Sequence, residues 1–216
     1  MSALQVTLEQ FHRLPILIEP VSCSGKTYIV TGSNHGIGLE TARHLVRCSA
    51  ERVILAVRNI AAGQKAKADI ETSTGRTGVA DVWHLDLASF SSVKAFVTKA
   101  CGELERIDAL IENAGVMLDQ FKLIEGMETC MTVNVVSTVL LGQLMMPKLS
   151  EVARQSGIKP RLVFVVSTLG FVAGKELKKS GKVNIFDGMN DPKRANMDQR
   201  YGALVALPVI ARSHEF

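Results

Sequence analysis

Short, nearly continuous apolar runs alternate with amphipathic stretches over most of this chain. The runs are rich in branched aliphatic residues, a pattern typical of strands buried on both faces of a parallel sheet. Predicted strands lie at 28–30, 52–57, 79–85, 107–111 and 161–167. Between them, apolar residues recur at helical spacing. One predicted helix opens at 37, and others cover 60–74, 90–101 (capped by Ser89) and 125–149. This alternation predicts an α/β domain.

Composition narrows the functional classes. At 216 residues the chain has room for one domain with a sizeable core. Its net charge of +4 is spread along the sequence without a basic block, which argues against nucleic acid as a partner. The cysteines are isolated in sequence, so neither a zinc site nor a disulfide framework is predicted. We expect four buried, reduced thiols in a cytoplasmic protein: Cys23, Cys48, Cys101 and Cys130.

Residues 1–24 are predicted to form an irregular leader or a short helix that lies on a single domain at 25–216. The apolar run at 16–18 is bounded by Pro15 and Pro20, so the segment does not resemble a secretory signal. Contact of residues 14–18 with a membrane is the alternative to packing against the domain. No apolar run approaches the roughly 18 residues that a membrane span needs.

Three glycines punctuate the stretch after the first predicted strand. Gly32 permits a sharp exit from the strand, Gly36 removes a Cβ where a pyrophosphate approaches the backbone, and Gly38 lets the following helix pack closely. The N-terminus of that helix then faces the phosphates. A strand before and a helix after favour a dinucleotide-binding turn over an ordinary surface turn.

The stretch Thr31-Gly32-x-x-x-Gly36-Ile37-Gly38 resembles the cofactor turn of the short-chain dehydrogenase/reductase family. Further motifs follow in that family's order over 26–201: Asp86-Leu87, Asn113-Ala114-Gly115, Ser167 and Tyr201. The resemblance implies a Rossmann-type doubly wound parallel sheet with strand order 3-2-1-4-5, lacking the C-terminal strands that normally extend it. The long segment at 168–200 is similar to the retinol-dehydrogenase-like branch, including its fungal members.

The resemblance also implies roles for individual residues. Tyr201 is the implied general acid, Ser167 orients the substrate oxygen, and Asn134 holds the water of a proton relay. Asp86 is expected at the adenine, and Asn113 at the cofactor ribose. The implied cofactor-binding residues are Gly32, Ser33, Asn34, Gly36, Ile37, Gly38, Asp86, Leu87, Asn113, Ala114 and Gly115.

Arg58 directly follows the second predicted strand. An acidic residue commonly meets the ribose of NAD at this place, whereas an arginine suits the 2′-phosphate of NADP. The preferred interpretation is therefore a site for NADP or NADPH. The alternative is a solvated cation at the end of a strand.

The long helix predicted at 125–149 carries Met127, Met131 and Met145 near one face, which indicates core packing more than a ligand site. Asn134 is a polar amide in this apolar stretch. Burying an amide without a partner costs about 1–3 kcal/mol, so we expect it to have hydrogen-bond partners. A core asparagine bonded to the backbone is the alternative to the relay role.

The chain departs from the family after Tyr201. The family motif is Tyr-x-x-x-Lys on one helix, with the two side chains one turn apart. Here Val205 stands at the lysine position, Pro208 is expected to interrupt the helix, and Arg212 lies too far along to substitute. The sequence ends at Phe216, as expected for a truncated or alternatively spliced product or an incorrect gene boundary. The strand at 162–166 would then be an exposed sheet edge.

Three functions compete. The leading hypothesis is an NADP-dependent oxidoreductase that interconverts a carbonyl and an alcohol on a small or secondary-metabolite-like substrate. The first alternative is a catalytically inert NADP-binding remnant, because the lysine is absent. The second is a structural or interaction module that binds no nucleotide, which the ordered motifs disfavour. Expected partners are the small-molecule substrate and, through the exposed edge, a second copy of the chain.

Overall fold

The computed structural model describes residues 20–167, 169 and 185–210. Five parallel strands form the main sheet: β1 (Thr27–Thr31), β2 (Arg52–Val57), β3 (Ala80–His84), β4 (Ala109–Glu112) and β5 (Arg161–Phe164). They pair in the order β3-β2-β1-β4-β5. This confirms the predicted doubly wound sheet and its strand order.

Helices connect the strands. The first three strands are followed by α1 (Gly36–Arg47), α2 (Ile60–Thr74) and α3 (Phe90–Glu103). Ser89 caps α3 as predicted, because its hydroxyl oxygen accepts from the Ser92 amide at 3.3 Å. A long helix, α4 (Thr129–Ser156), lies between β4 and β5. Two further helices are α5 (Ile185–Met189) and α6 (Met197–Ile210).

The start of α4 differs from the prediction. The residues expected to open it form a hairpin instead, with short strands at Leu123–Ile124 and Met127–Glu128. Its turn holds Glu125 at a φ of 52°, which a right-handed helix does not allow. Glu128 then caps α4, since its carboxylate accepts from two amides of the first turn. Met127 therefore belongs to the hairpin and not to the helix face, and the helix ends at 156 and not at 149.

Both faces of the central strands are buried, which explains their continuous apolar sequences. Successive side chains of a strand point to opposite faces. Ile29, Ile54 and Leu110 pack with α3 and α4, whereas Val30 and Leu55 pack with α1 and α2. Because helices cover both faces, ligands reach this sheet at the ends of its strands.

β5 forms one edge of the sheet and ends earlier than predicted. Its pairing with β4 stops where Phe164 lies opposite Glu112, and the Val165 amide donates to the Glu112 carbonyl at 3.0 Å. β4 ends at that point, so Ser167 follows the strand and does not belong to it. Val163 is 40% exposed, so this edge carries accessible apolar surface.

The helix that carries the predicted catalytic tyrosine, α6, continues past position 208 to Ile210. The expectation that Pro208 interrupts it is wrong. A proline lacks the amide that would donate to the carbonyl four residues earlier, so the last turn continues without that hydrogen bond. α4 likewise contains Pro147. α6 packs against the first turns of α4.

Other expectations meet mixed outcomes. Cys23, Cys48 and Cys130 are buried and free, but Cys101 is exposed on α3, so the prediction of four buried thiols is wrong for that residue. By length and composition α4 could cross a membrane, yet 67% of its apolar window is buried inside the fold. Residues 1–19 of the predicted leader, residues 170–184 of the long segment at 168–200, and Arg212 lie outside the described residues.

Candidate active site

A cavity of about 700 Å³ opens at the carboxyl ends of the parallel strands. In open α/β sheets this edge binds ligands, at the point where the strand order reverses. Most of the predicted site residues line it: Gly32, Asn34, Gly36, Ile37, Arg58, Asp86, Leu87, Asn113, Ala114, Gly115, Ser167 and Tyr201. Asn134 lines a smaller cavity of about 40 Å³, which also touches Tyr201.

The glycine turn is tightly built. A Cβ on Gly32 would lie 2.9 Å from the Cα of Ala114, and one on Gly38 would lie 2.5 Å from Nδ2 of Asn113. Gly38 therefore allows close approach to the turns after β1 and β4, more than to the sheet itself. Gly36 adopts a φ of 56° and faces open space at its Cβ position, as expected where a ligand approaches the backbone.

The N-terminus of α1 offers hydrogen-bond donors at the cavity. His35 is the N-cap residue, its side chain makes no capping hydrogen bond, and the first turn contains no acidic residue. First-turn amides of a helix have no acceptor within the helix. The amides that follow His35 are therefore suited to an anion, which the helix dipole also favours.

Thr31 joins the ends of β1 and β4. Its hydroxyl oxygen accepts from the amides of Asn113 at 3.0 Å and Ala114 at 2.9 Å, and Nδ2 of Asn113 donates to the Thr31 carbonyl at 3.1 Å. The Ser33 hydroxyl is buried and donates to the Val30 carbonyl at 2.8 Å, so it supports the turn from inside. Thr31 and Ser33 thus hold the turn without being among the residues that line the large cavity, whereas Asn113 both holds the turn and lines the cavity.

The ends of β2 and β3 complete the wall of the large cavity. Arg58 is exposed there, and the side chain of the next residue, Asn59, caps α2. The Asp86 carboxylate accepts from the Ala88 amide at 2.9 Å, which fixes the turn after β3. Leu87 is only 5% exposed and anchors that turn in the core.

The three predicted catalytic residues come from different elements and meet at the two cavities. Tyr201 on α6 and Ser167 after β5 both line the large cavity. Asn134 lies in a π-helical turn of α4, Thr132–Ser137, a type of turn that is frequent at functional sites. Its Oδ1 accepts from the Val116 amide and its Nδ2 donates to the Val116 carbonyl, both at 2.8 Å. The buried amide therefore has partners as expected, and both are backbone groups, as the alternative of a core asparagine predicted.

Glu112 is a buried carboxyl at the active-site end of the sheet. It is 3% exposed at the end of β4, and neither carboxyl oxygen has a hydrogen-bond partner among the described residues. Burial raises the pKa of this carboxyl to about 9. Glu112 has no role predicted from the sequence, although an acidic residue that ends an apolar strand is a usable signal. Further residues line the large cavity without a predicted site role: His35, Ala56, Asn59, Leu85, Val116, Val133, Val165 and Val166.

The chain is similar in sequence to known proteins. A family profile described as short chain dehydrogenase matches residues 26–179. The short chain dehydrogenase atnD of Emericella nidulans is 40% identical over 194 residues, which cover 89% of this chain and 60% of that protein. The short-chain dehydrogenase anuD of Penicillium roqueforti is 39% identical over 186 residues, which cover 86% of this chain and 48% of that protein. The chain thus spans about half to three fifths of the length of these relatives.

Solved structures share the fold. A metagenomic short-chain oxidoreductase in complex with NADP aligns with a TM-score of 0.62 at 23% identity, over 88% of this chain and 76% of that one. A short-chain dehydrogenase from Sphingobium yanoikuyae in complex with NADPH aligns with a TM-score of 0.60 at 22% identity, over 86% of this chain and 64% of that one. At these identities the likeness concerns architecture.

Proposed function

This chain belongs to the short-chain dehydrogenase family, and from that premise we propose that it is an NADP-dependent oxidoreductase that interconverts a carbonyl and an alcohol on a small or secondary-metabolite-like substrate. One observation carries the proposal. A single cavity is lined both by the glycine turn and by Ser167 and Tyr201, so cofactor and substrate groups would meet there. The free cysteines support a reducing compartment, and we propose the cytoplasm.

The described residues suit a dinucleotide. The volume of about 700 Å³ lies within the range of cofactor sites. The open space at Gly36 and the uncapped first turn of α1 suit the pyrophosphate. Arg58 would bind the 2′-phosphate of NADP, and Asp86 and Asn113 would bind the adenine and a ribose. When bound, the cofactor supplies or takes up a hydride.

The chain's own residues would handle the proton. In carbonyl reduction Tyr201 donates its hydroxyl proton to the substrate oxygen as negative charge develops there, and Ser167 orients that oxygen by a hydrogen bond. Asn134 would support a water of the proton relay. Its side chain is held by Val116 on both polar atoms, so it is well ordered for that purpose.

A catalytically inert NADP-binding protein is the second candidate, and the sequence of α6 favours it. The family's lysine lies one turn after the tyrosine, and Val205 stands at that position within α6. Loss of the lysine removes a charge that assists the tyrosine and a contact to the nicotinamide ribose. The glycine turn and Arg58 remain, so cofactor binding would survive reduced turnover.

Binding and turnover measured separately test both candidates. We expect NADPH fluorescence titration of the full chain to show saturable binding, and Gly38→Ala to abolish it. A panel of small aldehydes and ketones should show slow NADPH oxidation that Tyr201→Phe removes. Binding without turnover would support the inert candidate. Absence of NADPH binding to the folded chain would contradict both.

A further inference from the structure

The side chain of Glu112 lies between β4 and α4 at the active-site end of the sheet. Residues two apart on a strand share a face, so Glu112 points to the same side as Leu110, which packs with α4. Gly142 of α4 makes room for it, because a Cβ there would lie 3.0 Å from Oε1 of Glu112. The carboxyl is thus seated in a space that an alanine on α4 would reduce.

Glu112 is not isolated, since it lines the smaller cavity together with Asn134, Thr138 and Tyr201. The volume of about 40 Å³ accommodates roughly two or three water molecules. Both carboxyl oxygens are buried without a hydrogen-bond partner among the described residues. Buried polar groups are nearly always satisfied by protein or ordered water, and water in this polar cavity is the partner at hand.

We propose that Glu112 is a positioning residue of the same site, one that exchanges a proton with Tyr201 through water in this cavity. The proposal rests on the proposed function. In carbonyl reduction the Tyr201 O–H bond breaks and its proton forms the new O–H bond of the product. The tyrosinate oxygen then takes a proton from cavity water, and that water takes the carboxyl proton of Glu112. Solvent returns a proton to the Glu112 carboxylate between turnovers, and alcohol oxidation reverses each transfer.

The surroundings of the cavity suit this exchange. Among the described residues that line it, Glu112 and Tyr201 are the titratable groups. β5 contributes Phe164, the residues that follow it contribute Val165 and Val166, and α4 contributes Asn134 and Thr138. Burial keeps Glu112 protonated at neutral pH, with a pKa of about 9. A protonated carboxyl has a proton to give to water in this cavity.

Infrared difference titration of the full chain tests the coupling without turnover. We expect a carbonyl stretch of a protonated carboxyl that persists above neutral pH, is absent in Glu112→Gln, and is retained in Glu103→Gln, which changes an exposed carboxylate on α3. Tyr201→Phe should shift the titration midpoint of this band by about half a pH unit or more, because coupled groups titrate together. No such band, or the same midpoint in Tyr201→Phe, would overturn the proposal.

Kinetics give an independent readout. In Glu112→Gln we expect an NADPH Kd within about twofold of wild type and a kcat about tenfold lower, with an altered pH profile, as a residue acting through water would cause. An unchanged kcat and pH profile would overturn the proposal. If the wild-type chain neither binds NADPH nor turns over, the proposed function has failed, and the infrared shift in Tyr201→Phe still decides whether the two groups are coupled.

Discussion

Replacement of Glu112 by glutamine is expected to stabilise the fold at neutral pH. Burial raises the pKa of this carboxyl from its ordinary 4.5 to about 9. The unfolded chain therefore releases the proton at lower pH than the folded chain, and it binds fewer protons between these two values. Under that condition the free energy of unfolding decreases as pH rises from about 4.5 to about 9. Glutamine has nearly the same shape and no proton to release, so it removes this dependence.

The magnitude follows from the pKa difference. Each pKa unit corresponds to about 1.4 kcal/mol. At pH 7, about 2.5 units above the ordinary value of 4.5, the wild-type carboxyl lowers the free energy of unfolding by roughly 3 kcal/mol relative to a neutral group of the same shape. Near pH 4.5 the difference should vanish.

Urea unfolding from about pH 5 to about pH 8 measures this difference. The free energy of unfolding of Glu112→Gln minus that of wild type should increase by about 1.4 kcal/mol per pH unit. Glu103→Gln, at an exposed position, should show a small difference that does not vary in this way. A Glu112→Gln difference that is constant with pH would refute the reasoning, because the carboxyl would then ionise at the same pH in both states.

Four further predictions concern the cofactor, the tyrosine, the turn and the sheet edge. We expect the wild-type chain to bind NADPH more tightly than NADH by about 1.5–3 kcal/mol, measured by titration with each cofactor. Arg58→Glu should reverse this preference, whereas Arg47→Glu, at an exposed position, should not. Equal wild-type affinities for the two cofactors would contradict the assignment of Arg58 to the 2′-phosphate. Val205→Lys should raise the rate of alcohol oxidation at least about tenfold and the rate of carbonyl reduction by less. Val205→Met is the uncharged control and should raise neither rate. Gly38→Ala should lower the free energy of unfolding by about 1–3 kcal/mol in urea, unlike Gly102→Ala, whose Cβ would meet open space. Analytical ultracentrifugation should show that the chain self-associates, as expected if the exposed edge strand β5 pairs with a second copy. A monomer at all concentrations would count against this pairing.

The sheet could be predicted because its chemistry is local. The central strands β1, β2 and β4 are buried on both faces, so their residues form apolar runs that are recognisable without any neighbour, and β2 was predicted at its observed bounds. Strand ends depend on the partner strand. β5 was predicted to reach Ser167, yet pairing ends at Phe164 because β4 ends opposite it.

The α4 region was harder because several local signals compete. Met127 precedes Met131 by four residues, a spacing that favours a helix. The positive φ angles of Glu125 and Gly126 form a hairpin there instead, and the spacing of apolar residues does not indicate it. The π-helical turn around Asn134 is likewise invisible in the pattern. The place of Glu112 depends on Gly142, thirty residues later, and only the packed structure brings those two positions together.

The hydroxyl of Thr31 has a consequence for the thermodynamics of binding. One oxygen atom accepts from two successive amides at the end of β4, so the two walls of the crevice are tied together before any ligand enters. A ligand that enters a preorganised crevice loses its own freedom but does not have to order the walls, and the entropic penalty of association is smaller. Thr31 would thus increase the affinity for a dinucleotide by lowering the entropic penalty of binding, although its side chain does not line the cavity.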